Sequence, residues 1–172
     1  TAAHAQTYPS RDVTFIVPWN AGGSNDVAIR ALDPILREHG IKLVIENVAG
    51  AAIRRDLMLC GLHFDLGTFR HRYFELGGWE ATTRMDHPAH TGPRVAGYRH
   101  GQRHEGDMVA PYGDGGGKGT PEQWATALGI DWTLDPLELR EAIPPAYGEH
   151  IGRELVAWLT AQAALYWQGV PS

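Results

Sequence analysis

Residues 13–46 carry a strand, a helix and a second strand joined by short links. No other stretch restricts the fold as much. Val13-Thr14-Phe15-Ile16-Val17 is β-branched and aromatic and stops at Pro18, the pattern of a buried strand. A Gly-containing loop follows, in which Ser24 or Asn25 can cap a helix. Val27, Ala28, Ala31, Leu32, Ile35 and Leu36 then recur at helical spacing through residue 38, and His39-Gly40 is a stop signal. Residues 41–46 read as the second strand. Two strands joined through a helix in this way form a parallel pair with a right-handed crossover. The expected fold class is therefore α/β, built on a partial parallel sheet.

The remainder changes character twice. Residues 57–61 and 69–76 read as further short strands. Residues 77–119 have no clear period and collect glycine, proline, arginine and histidine, so a loop-rich insertion is expected there. From Thr120 the pattern is helical. Thr120-Pro121 opens one helix that closes at Gly129, a second runs from about Asp135 to Ala142, and residues 149–164 form a long final helix. Its apolar positions are Ile151, Leu155, Val156, Leu159 and Ala163.

With 172 residues the chain can bury one well-packed domain, or a small domain with an appendage. The formal net charge of −5 provides no global attraction to nucleic acid, so contact with DNA would need a local basic patch. No apolar run approaches the length of a membrane span. The single cysteine, Cys60, excludes an intrachain disulfide. The stretch Ala3-His4-Ala5 has the form of a small-residue cleavage site, and Thr1 in place of Met suggests a fragment or a processed chain.

Two resemblances meet at Val44-Ile45-Glu46-Asn47-Val48-Ala49-Gly50-Ala51. Upstream, residues 8–51, with the loop Pro18-Trp19-Asn20-Ala21-Gly22-Gly23-Ser24-Asn25-Asp26, resemble the first βαβ unit of a tripartite tricarboxylate transporter receptor. That resemblance implies a carboxylate held by Gly22, Gly23 and Ser24 at a helix N-terminus, and a periplasmic location. Downstream, residues 44–172 resemble the C-terminal half of a phage-type DNA cytosine-5 methyltransferase. The elements that carry it are Glu46-Asn47-Val48, then Thr68-Phe69-Arg70-His71-Arg72, and finally Gly129-Ile130-Asp131-Trp132 with Glu141-Ala142-Ile143-Pro144-Pro145-Ala146-Tyr147.

The second resemblance implies a partial Rossmann-like sheet with core strands in residues 44–76. It implies a target-recognition region in residues 77–119, helices in residues 120–172 and a cytoplasmic setting. Glu46 would hold the flipped cytosine, while Arg70 and Arg72, on one face of a strand, would support the catalytic loop and reach the target base, with Arg72 as the base contact. Arg84, Arg94, Arg99 and Arg103 would contact DNA weakly. The family's cofactor is S-adenosylmethionine. Its binding loop and the family's Cys nucleophile are both missing here, so the resemblance implies a chain that binds no cofactor and transfers no methyl group. A chimera joined at residues 44–51 accounts for both resemblances. A carboxylate receptor and a non-functional recombined product are the alternatives. For the hybrid fold, strand 13–18 is expected parallel to 42–47, and Glu46 and Arg72 are expected to face one cleft.

Three further signals are set aside on sequence grounds. Cys60 lies in an apolar strand with no neighbour that would lower its pKa, and reads as an inert buried thiol. The pairs His87-x-x-His90 and His100-x-x-x-His104 have spacings that zinc can use, but no cysteine joins them and no helix fixes them, so no metal is assigned. Gly113 to Thr120 superficially resembles a phosphate loop, yet Gly119 follows Lys118 where Ser or Thr is needed.

Overall fold

The computed structural model describes residues 31–32, 34–91, 95–111 and 119–168. Strand 13–18, the loop 18–26 with Gly22, Gly23 and Ser24, Arg94 and the glycine run 113–118 lie outside them. The chain divides into two compact units. One comprises Thr1–Leu57 and Tyr73–Ala81, the other Met58–Arg72 and Thr82–Ser172.

Five short strands are present among the described residues: β1 (Leu43–Asn47), β2 (Leu57–Leu59), β3 (Arg72–Gly77), β4 (Gly97–Arg99) and β5 (Gln102–His104). The first three form a sheet in the order β1-β3-β2. β1 and β3 are antiparallel, with Leu43 opposite Gly77 and Asn47 opposite Tyr73. Hydrogen bonds from Asp56 N–H to Phe74 C=O (3.0 Å) and from Gly61 N–H to Phe69 C=O (2.7 Å) run in opposite chain directions. The second link is therefore antiparallel as well.

The expected parallel, Rossmann-like sheet is thus corrected: the sheet is antiparallel. A class-I S-adenosylmethionine methyltransferase needs a parallel core, so the DNA cytosine-5 methyltransferase reading is corrected with it. The local logic of strand, helix, strand fixed a handedness but not which partner β1 would choose. β3 supplies the long-range edge on which β1 pairs.

In the first unit, Leu43, Leu57, Phe74, Leu76 and Trp79 are buried. The Trp79 indole N–H reaches Leu43 C=O at 3.0 Å, which satisfies its one polar group inside an apolar contact. A charged clip closes the segment between β1 and β2. Arg54 Nε lies 2.7 and 2.9 Å from the two Asp56 carboxylate oxygens. Arg54 Nη2 donates to Leu76 C=O at 2.5 Å, and Arg54 N–H donates to Glu75 Oε2 at 3.0 Å. Asp56 Oδ2 in turn accepts Leu76 N–H at 2.8 Å.

The second unit is organised by its helices. Thr120 and Gln123 form a reciprocal cap for Pro121–Leu128, which ends at Gly129 with φ +71°. Asp135 caps Pro136–Glu141 by accepting the Leu137 and Glu138 amides. Trp124, Ala125, Leu128, Ile130 and Leu139 form one buried cluster. The long helix runs Pro145–Gln168. It begins four residues before the start expected from sequence, because Pro145 needs no N–H in the first turn and so initiates the helix. Tyr147, His150, Ile151 and Glu154 form its buried face, at the i, i+3, i+4, i+7 spacing of one stripe. Val156 and Leu159, expected as core positions, are exposed.

Candidate metal centre

The second unit brings four potential ligands together. One side-chain atom from each of Cys60, His71, His87 and His90 lies within 4.8 Å of every other. Cys60 is buried, His71 half-buried, and His87 and His90 exposed. The inner pair is delivered by the antiparallel turn after β2. The bond from Gly61 N–H to Phe69 C=O turns the chain back, so that residues 70 and 71 return past residue 60. This turn has no room for a side chain at Gly61, where a Cβ would sit 1.7 Å from Thr68 C=O. The outer pair comes from the irregular segment 82–91, in which Pro88 stiffens the link between the two histidines.

Three of the six distances inside the cluster are short, and the others are no more than 4.8 Å. Cys60 Sγ is 3.4 Å from His90 Nε2, and His71 Nε2 is 3.0 Å from His87 Nε2 and 3.3 Å from His90 Nε2. A tetrahedral ion with ordinary zinc–nitrogen and zinc–sulfur bonds has ligand–ligand edges of about 3.3–3.6 Å. The three ring centroids form a nearly equilateral triangle with sides of 5.0, 5.0 and 4.7 Å. Three imidazoles radiating from one such ion would place their centroids about 5 Å apart.

Hydrogen bonding alone accounts poorly for this set. A ring nitrogen carries one in-plane proton or one in-plane lone pair, so His71 Nε2 can make one well-directed bond to its two neighbours, not both. The electrostatics also favour uncharged donors. Burial, then the neighbouring His90, His87, His63 and Arg72, pushes His71 below the usual imidazole value. Burial, then His87, does the same to His90. Burial pushes the Cys60 thiol up, and the Leu62 N–H beside the sulfur works against it. Neutral imidazoles keep the lone pairs that a metal needs, and a bound cation would displace the thiol proton.

The surroundings hold both ligand segments in place. The Phe69 ring stacks on His90 with centroids 3.9 Å apart and an 11° interplanar angle. Glu154 Oε2, from the long helix, accepts Thr82 N–H (2.6 Å), Thr82 Oγ1–H (2.7 Å) and Thr83 N–H (2.8 Å) at the start of the outer segment. Burial alone would raise that carboxyl, but these donors outweigh it and hold it down at about 2.

The residues expected from sequence are placed elsewhere. Arg70 precedes β3 with a left-handed backbone (φ +32°), so Arg70 and Arg72 do not share a strand face. Arg70 is buried, and its guanidinium donates to Pro111 C=O (2.9 Å), Arg140 C=O (2.5 Å) and Ala142 C=O (2.7 and 3.1 Å). Those bonds make it an anchor for the helical half. Arg72 Nη1 donates to His71 C=O at 2.9 Å. Glu46 lies on β1 opposite Phe74, in the first unit, whereas Arg72 belongs to the second.

Arg84 sits 3.6 Å from Asp86, and Arg103 sits 3.7 Å from Glu105. Both pairs are highly exposed, and each offsets a charge expected to meet DNA. Arg99 is on β4, paired with Gln102 in a hairpin that also carries His100 and His104. Of the two histidine pairs, only His87 and His90 join the cluster. Their partners lie 16 to 30 residues away in sequence, at Cys60 and His71, beyond the range of a spacing rule. The relevant signal was the apolar cysteine strand followed by a tight Gly61–Gly67 turn, which returns the chain past the cysteine.

Among the described residues no helix is long and apolar enough to cross a membrane. No protein-family model, curated protein or solved structure matches the chain.

Proposed function

We propose that Cys60 Sγ and the Nε2 atoms of His71, His87 and His90 bind one zinc ion, and that the ion's role is structural. The observation that carries this reading is the convergence of four ligand atoms within 4.8 Å, with three edges of 3.0–3.4 Å and ring spacings close to tetrahedral size. One thiolate with three imidazoles suits zinc among the common divalent ions. Four protein ligands fill a tetrahedral shell and leave no position for substrate, which is the arrangement of structural sites. The ion would fasten the irregular segment 82–91 onto the turn at residues 60–71. That segment contains no regular secondary structure of its own.

The test is metal analysis of the purified chain, followed by replacement of zinc with Co(II). The expected result is one ion per chain and a thiolate-to-cobalt charge-transfer band that Cys60→Ser abolishes or shifts. A chain that takes up neither ion, or a Cys60→Ser variant with an unchanged spectrum, overturns the assignment.

A further inference from the structure

His63 is not within the four-ligand group, yet it is hydrogen-bonded to both segments that carry the ligands. Its Nδ1 accepts the backbone N–H of Cys60 at 3.0 Å. Its Nε2 lies 3.1 Å from the backbone C=O of Asp86, the residue just before His87. An amide N–H can only donate and a carbonyl can only accept, so these two partners fix the ring as the neutral tautomer with its proton on Nε2. Its ring also meets the His87 ring edge-on, with centroids 6.5 Å apart. His63 is held in turn by the short helical turn Gly61–Phe64 and by the edge contact of its ring with Phe64, at 6.1 Å.

The geometry points to His63 as a positioning residue for the metal centre: it sets the distance between the Cys60 turn and the His87 segment before the ion arrives. This role rests on the proposed metal site. Cys60 and His71 are tied together by the antiparallel turn, so their separation is fixed by backbone bonds. His87 and His90 stand on an irregular segment whose approach to that turn is set by side chains. Glu154 fixes its beginning at Thr82 and Thr83. The stacking of Phe69 steadies its far end at His90. Between these, at Asp86, the bond comes from His63. Without it, the metal would have to order residues 84–88 itself, and that ordering cost would be subtracted from its affinity.

Three variants separate the two bonds. His63→Ala removes both. His63→Asn keeps an oxygen near the Nδ1 position to accept Cys60 N–H, and His63→Gln places an amide N–H nearer the Nε2 position to donate to Asp86 C=O. Each protein, stripped of metal by chelation, is titrated with Co(II). Affinity, the ligand-field spectrum and the melting temperature of the chelated form are recorded. Loss of an outer partner of a metal ligand typically weakens binding about 10- to 100-fold. The expected result is a loss of that size in His63→Ala, with altered ligand-field bands, partial recovery in the Asn and Gln variants, and little change in chelated-form melting. A merely structural histidine would lower chelated-form melting and leave the ligand-field bands alone.

Native protein that takes up no Co(II) overturns the metal centre and this role together. Native uptake with unchanged affinity and spectrum in His63→Ala overturns the role alone. Should His63→Ala fail to fold, the same criterion applies to the Asn and Gln variants, each of which lacks one of the two bonds.

Discussion

The Arg54–Asp56–Glu75 cluster beside β3 and the Cys60–His71–His87–His90 cluster after β2 are built from different kinds of groups. In the first, a guanidinium meets two carboxylates, and the remaining donors and acceptors go to the backbone of β3. Opposite charges and matched hydrogen-bond directions complete it from within the chain. In the second, three imidazoles and a thiol converge through atoms that are all electron-pair donors toward a metal. A set of like groups pressed together is costly unless something of complementary character joins it. The difference separates a clip made of opposite charges from a cluster of like donors, which is the contrast the proposed metal explains.

The largest effect expected from this contrast is the response to metal removal. A ligand present at about a thousand times its dissociation constant stabilises the fold by about 4 kcal/mol. Chelation should therefore lower the melting temperature of the native chain markedly and that of Cys60→Ala hardly at all. Calorimetry with and without chelator decides this, and equal melting in both conditions breaks the contrast. Gly61→Ala is expected next in size. Its Cβ would sit 1.7 Å from Thr68 C=O, a backbone atom that cannot rotate away. The turn must open, at a cost on the order of 3 kcal/mol, and the Cys60–His71 pair should lose its Co(II) spectrum with it. Retained stability and spectrum in Gly61→Ala would show that this turn does not set the inner ligands.

Glu154 sharpens the comparison through pH. Its carboxyl is held at about 2 in the fold, below the usual unfolded value of about 4.3. A depressed folded pKa means that the unfolded chain takes up the proton first as acid is added. The stabilisation is present above about pH 4.3 and is lost as pH falls toward 2. Charge-assisted hydrogen bonds of this kind contribute about 1.5–3 kcal/mol. Glu154→Gln should therefore lower stability near neutral pH by about that amount, and the difference from native should shrink through this acid window. A constant difference across the window, measured by denaturant titration of chelated protein, would remove the carboxylate's charge from the account.

The cap at Thr120 and the stop at Gly129 were legible in the sequence, because capping depends on neighbours within four residues. Strand-forming stretches at 41–46, 57–61 and 69–76 correspond to β1, β2 and β3, but their pairing did not follow. Leu43 meets Gly77 across a gap that no local pattern spans, and the expected partner of β1, strand 13–18, lies outside the described residues. The same limit hid the site. His87 and His90 were visible as a pair and Cys60 as a buried thiol, and only the return of the chain at residues 61–69 brings His71 and Cys60 to them. Arg70 reads as a functional cation from its spacing. Its left-handed backbone instead turns it toward the carbonyls of the helical half.

The smallest expected effect belongs to the clip. Burial alone would raise the Asp56 carboxyl, but the Arg54 side chain, the Leu76 N–H and the charges of Arg54 and Arg37 hold it below its ordinary value. Arg54 is half exposed, so solvent screens much of that attraction, and pairs of this kind contribute about 0.2–1 kcal/mol. Asp56→Asn should keep one acceptor oxygen, for Leu76 N–H or for Arg54, and lose the charge, lowering stability by about 1 kcal/mol or less. Salt should narrow the difference, since the pair lies near water. Chelator should leave it unchanged, because neither Asp56 nor its partners belong to the ligand group. A double-mutant cycle of Arg54→Met and Asp56→Asn, run in chelator and in zinc, measures the coupling in each condition. Equal coupling in both supports a clip that completes itself. A coupling that changes with zinc would show that the two clusters are energetically linked, and the contrast between a closed clip and an open site would fall.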